Sequence, residues 1–171
     1  MEFAKRCTQV AKGGHLDVLK WARKHGCPWT SEVCAYAARR GHLEMLQWAW
    51  GQNCPLDEDT CAWAADGGHL EVLQWARAHD CPWSSETCAS AAGGGHLEVL
   101  KWARKQECDW DACTCACAAW GGHLEVMRWA REHGCEWDAE TFLGASECEC
   151  AETLEYVRAN GCPKGDYAHI L

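Results

Sequence analysis

"GGHLEVLQWARAHDCPW", Gly67–Trp83, has two near copies in the same chain: "GGHLEVLKWARKQECDW", Gly94–Trp110, and "GGHLEVMRWAREHGCEW", Gly121–Trp137. Each copy carries two aromatic anchors, a histidine and a cysteine. The copies are rungs of a longer ladder. His15, His42, His69, His96 and His123 are 27 residues apart, and Trp21, Trp48, Trp75, Trp102 and Trp129 keep the same step, with Tyr156 in sixth place. Cys27, Cys54, Cys81, Cys108, Cys135 and Cys162 form a third series. Cys7, Cys34, Cys61, Cys88 and Cys115 form a fourth, which ends at Phe142. A gapless period of this length is the signature of a repeat architecture. The chain reads as one domain, residues 1–171, of six units: 3–29, 30–56, 57–83, 84–110, 111–137 and 138–164.

Each unit reads as two helices. Thr30, Asp57, Ser84, Asp111 and Asp138 are N-cap residue types, and Glu32, Asp59, Glu86 and Glu140 follow in the first turn, where the helix dipole favours negative charge. Trp29, Leu56, Trp83, Trp110 and Trp137 precede the caps. Cys34, Cys61, Cys88, Cys115 and Phe142 come four residues after them. These are the two positions of a hydrophobic staple. A glycine such as Gly68 or Gly95 then supplies a left-handed C-cap. In the second helix Leu70, Leu73, Trp75 and Ala76 form an apolar stripe at helical spacing. Gly26, Asn53, Asp80, Gly134 and Gly161 occupy the next turn as residues that tolerate positive φ, and Glu107 is the exception. A 27-residue helix pair cannot bury its own apolar face, so neighbours must stack. The expected fold is all-α: an α-solenoid of six helix-turn-helix repeats.

The segment "GHLEVLKWAREHGC" resembles the second half of an ankyrin repeat, G-H-L-E-V-V-K-L-L-L-E-A-G-A. The preceding "TCAWAADGGHLE" resembles T-P-L-H-L-A-A-x-x-G-H-L-E. The likeness recurs over most of the chain. The ankyrin unit is about 33 residues long, so six are missing between repeats, and the T-P-L-H tetrapeptide is absent. The resemblance therefore implies ankyrin-like repeats with shortened turns in place of β-hairpin fingers. Short units rich in tryptophan and cysteine are similar to those of large ankyrin families in protists and giant viruses.

Fifteen cysteines and nine histidines raise a metal or redox reading. Equivalent positions in stacked repeats lie about 8–10 Å apart, beyond the roughly 7 Å between Cα atoms that a disulfide tolerates. A ladder therefore cannot bridge to itself, although cross-ladder pairs such as Cys27 with Cys34 could approach. There is no CxxC pair and no zinc spacing, so no metal site and no cofactor is expected. The ladder thiols read as small buried apolar groups. Cys113, Cys117, Cys148 and Cys150 read as the reactive ones. The five Gly-His histidines, repeated in identical surroundings, read as caps or structural hydrogen bonds. No catalytic motif or phosphate loop is present, so the chain is read as no enzyme.

Residues common to every unit build the scaffold; residues that differ are free to read a partner. In ankyrin-like stacks the first helices and the turns after them line the concave face. The variable positions there hold Tyr36, Arg39, Arg40, Trp63, Asp66 and Trp120, which have the aromatic and arginine character of interface hot spots. Trp50 replaces an otherwise constant arginine (Arg23, Arg77, Arg104, Arg131, Arg158) and marks a second candidate spot. Net charge is −9, which disfavours a nucleic-acid partner and suits a basic protein or peptide. The first unit, with Lys5, Arg6 and Lys12, and the last, with Lys164 in the staple position, read as polar end caps. No run of about 18 apolar residues suggests a membrane span, and the N-terminus lacks the apolar core of a secretory signal. The expectation is a monomeric, cytoplasmic, non-catalytic recognition module. Its alternatives are a thiol-rich protein that binds a soft metal or is redox-active, and a passive spacer in a longer protein.

Overall fold

The computed structural model describes residues 2–28 and 30–166. Among them are twelve helices and no strand. Trp29 and the side chains of Lys5 and Arg6 lie outside the described part. Two compact units are formed, residues 1–83 and 84–171. The first holds α1 (Glu2–Lys12), α2 (Leu16–Lys24), α3 (Ser31–Arg39), α4 (Leu43–Gly51), α5 (Glu58–Asp66) and α6 (Leu70–Ala78). The second holds α7 (Ser85–Gly93), α8 (Leu97–Lys105), α9 (Ala112–Trp120), α10 (Leu124–Glu132), α11 (Ala139–Glu147) and α12 (Ala151–Ala159). Within each unit, first helices stack on first helices, α1 on α3 on α5 and α7 on α9 on α11.

The helix ends obey the local rules, with two departures. All five cap residues occupy the N-cap with extended backbone, but only the aspartates Asp57, Asp111 and Asp138 accept a hydrogen bond through the side chain; Thr30 and Ser84 do not. Asp57 and Asp138 complete capping boxes with Thr60 and Thr141. The first helices other than α11 end in a Schellman turn: the His69 N–H reaches the Ala64 carbonyl at 2.9 Å, and the Gly68 N–H reaches Ala65 at 3.1 Å, with Gly68 at φ 73°. The second helices end the same way, Cys81 N–H to Ala76 carbonyl at 3.1 Å. Glu107 adopts φ 61° there despite its side chain.

This turn explains the third cysteine ladder. Cys81 is the residue just past the turn, where the Schellman motif wants an apolar contact back onto the helix, and it is buried. Its thiol also donates to the Asp57 carbonyl at 3.2 Å, closing the hairpin onto the start of its own first helix. Cys54, Cys108, Cys135 and Cys162 do the same to Thr30, Ser84, Asp111 and Asp138 at 3.2–3.5 Å. A cysteine combines small apolar bulk with a donor, which alanine lacks.

The second-helix stripe differs from the expectation. Val72, Leu73 and Ala76 are fully buried, whereas Leu70 and Trp75 are half-buried at the flank. The Trp75 indole instead stacks on His79 at 4.2 Å, and His79 Nδ1 bonds the Trp75 carbonyl at 2.8 Å; Trp129 with His133, and Trp21 with His25, repeat the pair. The Gly-His histidines hold N-cap positions without a side-chain cap bond. Their rings lie on a glycine of the preceding repeat: a Cβ on Gly41 would meet the His69 ring at 2.6 Å, and one on Gly95 the His123 ring at 2.6 Å. The ladder is therefore a packing device.

Candidate functional site

Five of the six residues singled out by their variability lie in the first unit, and the structure brings them together. Tyr36 and Trp63 are half-buried and meet edge to face, with centroids 4.7 Å apart. Arg39 lies 5.7 Å from the Trp63 centroid and donates from Nε to Asp66 at 2.8 Å. Arg39 and Asp66 are both well exposed, so the ion pair contributes little to stability and chiefly orients the guanidinium. Arg40 is exposed beside them. Lys12, which the sequence placed in a cap, sits 5.9 Å from the Tyr36 ring. Together Lys12, Tyr36, Arg39, Arg40, Asp66 and His69 line a cavity of about 540 Å³. Burial first, then the charges of His69, Arg40 and His15, hold the neighbouring His42 imidazole below its ordinary value.

A simple rule underlies this row. Within each unit the residue at the end of a first helix lies over the mid-helix residue 24 positions on: Lys12 over Tyr36 and Arg39 over Trp63 in the first. In the second unit the same rule places Gly93 against the Cys117 Cβ, at van der Waals distance from where its own Cβ would be, and Trp120 against Gly144. Gly144 is needed there because a Cβ would stand 2.9–3.0 Å from the Trp120 ring and backbone. Trp120 remains 45% exposed. Tyr36 and Trp63 are thus both inter-repeat filling and part of an accessible face.

Cross-ladder thiols do approach, as the sequence allows, in pairs other than the example Cys27 with Cys34. The sulfurs that approach belong to one repeat and are twenty residues apart. Cys7 is disulfide-bonded to Cys27. Cys61 Sγ lies 4.0 Å from the Cys81 carbonyl, and Cys88 Sγ 4.0 Å from that of Cys108. The hydrogen bond to the partner sulfur, with burial, pushes Cys34, Cys88 and Cys115 well up and leaves their partners Cys54 and Cys135 lowered. Cys162, whose partner position is Phe142, is pushed up to about 11, chiefly by burial. Among the described residues no group of three or more His, Cys, Asp or Glu gathers as a metal cluster would. Cys113, Cys117, Cys148 and Cys150 are the accessible thiols. An Ellman titration is expected to find these four in the native protein and thirteen after denaturation without reductant. A native count near thirteen would contradict the burial of the ladders.

No family model matches the sequence, and no curated protein matches it. The fold does have solved counterparts. One is the crystal structure of the human ASB11 ankyrin repeat domain, with a TM-score of 0.68 over 91% of this chain and 83% of that one, at 12% identity. The chain therefore has an ankyrin-like architecture of repeated helix-turn-helix units. Among the described residues no helix is long and apolar enough to cross a membrane.

Proposed function

We propose that the chain is a non-catalytic recognition module that binds a partner protein or peptide through the face of its first helices. The observation that carries this reading is the row Lys12, Tyr36, Arg39, Arg40, Trp63 and Asp66. The His, Trp and Cys ladders repeat with few exceptions, whereas in this row successive repeats present different chemistry beside a cavity. Preorganised helices lose little entropy on binding, and such folds are typically interaction scaffolds. In the second unit Trp120, at the end of α9, is proposed as a further contact residue. The reading of residues 1–171 as one domain rests on the unbroken 27-residue step through residues 83 and 84. The net charge of −9 favours a basic partner and disfavours self-association, and thirteen free thiols favour a reducing, cytoplasmic setting. Proteins recovered from lysate on the wild-type chain are expected to fall by at least about tenfold on the Arg40→Ala, Trp120→Ala double variant, since one hot-spot side chain alone contributes about 2 kcal/mol or more. Undiminished recovery with an unchanged circular-dichroism melt would remove the proposal.

The redox or soft-metal alternative has one observation in its favour, the thiol pair twenty residues apart that recurs in the repeats. Elemental analysis tests it directly: zinc or copper at one equivalent or more would make the thiols, not the first-helix face, the functional centre.

A further inference from the structure

The second repeat departs from the others at two positions that touch each other elsewhere. In three repeats an arginine of the second helix lies over the aromatic ring six residues on: Arg77 over Trp83, Arg104 over Trp110 and Arg131 over Trp137, at 4.2–4.3 Å. The same guanidiniums donate from Nη1 to the carbonyls of Cys81, Cys108 and Cys135. Arg23 reaches Cys27 likewise at 3.4 Å. In the second repeat Trp50 stands in the arginine position and Leu56 in that of the ring.

The exchange is only half compensated. Trp50 reaches Trp75 edge to face at 5.9 Å, as Trp110 reaches Trp129 at 6.0 Å, so the indole is supplied from α4 in place of the loop. It also meets His79 at 4.6 Å. Among the described residues no donor reaches the Cys54 carbonyl, and Trp50 is 44% exposed. A groove of about 610 Å³ opens, lined by Trp50, Cys54, Leu56, His79 and Asp80. It thus offers an aromatic face, a carbonyl acceptor and a carboxylate.

We propose that this groove is a binding site for an arginine side chain of a partner polypeptide, whose guanidinium takes the seat that Arg77, Arg104 and Arg131 fill from within in their own repeats. A planar guanidinium can stack on an indole while its N–H groups serve the Cys54 carbonyl and the Asp80 carboxylate; a lysine ammonium cannot do both. A second copy of this chain is disfavoured as occupant because each copy carries −9. The site lies on α4 and the turns after α4 and α6, apart from the row on α3 and α5, so it does not depend on that reading.

The test uses the indole N–H resonances of the full chain, titrated with acetyl-Gly-Arg-Gly-amide, with its lysine counterpart and with the neutral citrulline counterpart. The expected result is a saturable shift of the Trp50 resonance with the arginine peptide, and binding weaker by about fivefold or more with citrulline. The variant Trp50→Arg with Leu56→Trp rebuilds the common pattern, so it should keep its melting temperature and, with the titration followed on the resonances of the peptide, no longer bind the arginine peptide. Arg40→Ala with Trp120→Ala should leave the response unchanged. Absence of a saturable Trp50 shift, equal binding of citrulline, or undiminished binding by the rebuilt variant would overturn the proposal. So would a wild-type dimer in sedimentation that the rebuilt variant abolishes, since the groove would then belong to a second copy.

Discussion

Gly67→Ala is expected to lower the unfolding free energy by about 2–3 kcal/mol, the cost of overpacking a tight core. Gly51→Ala should instead leave it unchanged or raise it by about 0.5–1 kcal/mol. The substitution is the same and the sign is opposite. At Gly67 a Cβ would stand 2.3 Å from the Arg39 backbone carbonyl and 2.6 Å from the His69 ring. A carbonyl on a helix end cannot swing aside as a side-chain tip can, so α3 and α5 must part, and the apolar contacts between them loosen. At Gly51 a Cβ meets nothing within 4 Å, and the helix simply gains a better helix former. Urea unfolding followed by circular dichroism measures both. A loss below about 0.5 kcal/mol at Gly67, the range of an ordinary surface change, would mean that the first helices stack less closely than described.

Phe142→Ala is expected to remove about 3–5 kcal/mol, as deletion of a fully buried phenyl ring does. Phe142 fills the seat that cysteines hold in the other five repeats and has no exposed surface. Lys164 covers its ring at 5.7 Å, where a staple tryptophan would otherwise lie. The stability of stacked repeats is roughly a sum of local and nearest-neighbour terms. The loss should therefore appear as early opening of α11 and α12, not as uniform weakening. Amide exchange should show protection collapsing over residues 139–159 while α7–α10 keep most of theirs. Uniform loss of protection throughout the second unit would show that the last repeat does not open independently.

Much of the architecture was legible along the chain because helix caps and turns are local hydrogen-bond problems. Asp57, the Ala-Ala pairs, the glycine turns and the 27-residue step locate α5 and α6 without a neighbour in view. The misses all concern what lies across from what. Trp75 belonged to a stripe chosen by spacing, but a nine-residue helix carries apolar residues on more than one side, and packing selects Val72 and Leu73 for the core. Thr30 and Ser84 have cap chemistry, yet only the aspartates bond the first-turn amides. The Gly-His histidines read as caps or structural hydrogen bonds; they hold N-cap positions without a side-chain cap bond, and only the stacked repeat supplies the glycine on which their rings lie.

The same limit applied to the sites. Tyr36, Arg39, Arg40, Trp63 and Asp66 were found by their variability, but Lys12 was assigned to a cap, because the rule that joins residues 24 apart exists only between helices. Cys27 with Cys34 was one cross-ladder pair that the sequence allowed to approach, since both lie at one end of the repeat; the hairpin bonds Cys27 to Cys7. The coupled departure of Trp50 and Leu56 was visible in the ladders, and only their contacts elsewhere give it meaning. The amino-acid order alone determined the period, the helices, the turns and the identity of the variable positions, since these follow from hydrogen bonds within a few residues. Closure of each hairpin on itself decided the thiol partners twenty residues away, and stacking decided the ring partners twenty-four away, the burial of each ring and thiol, and the open groove at Trp50, because those distances come into being only when helices lie against one another.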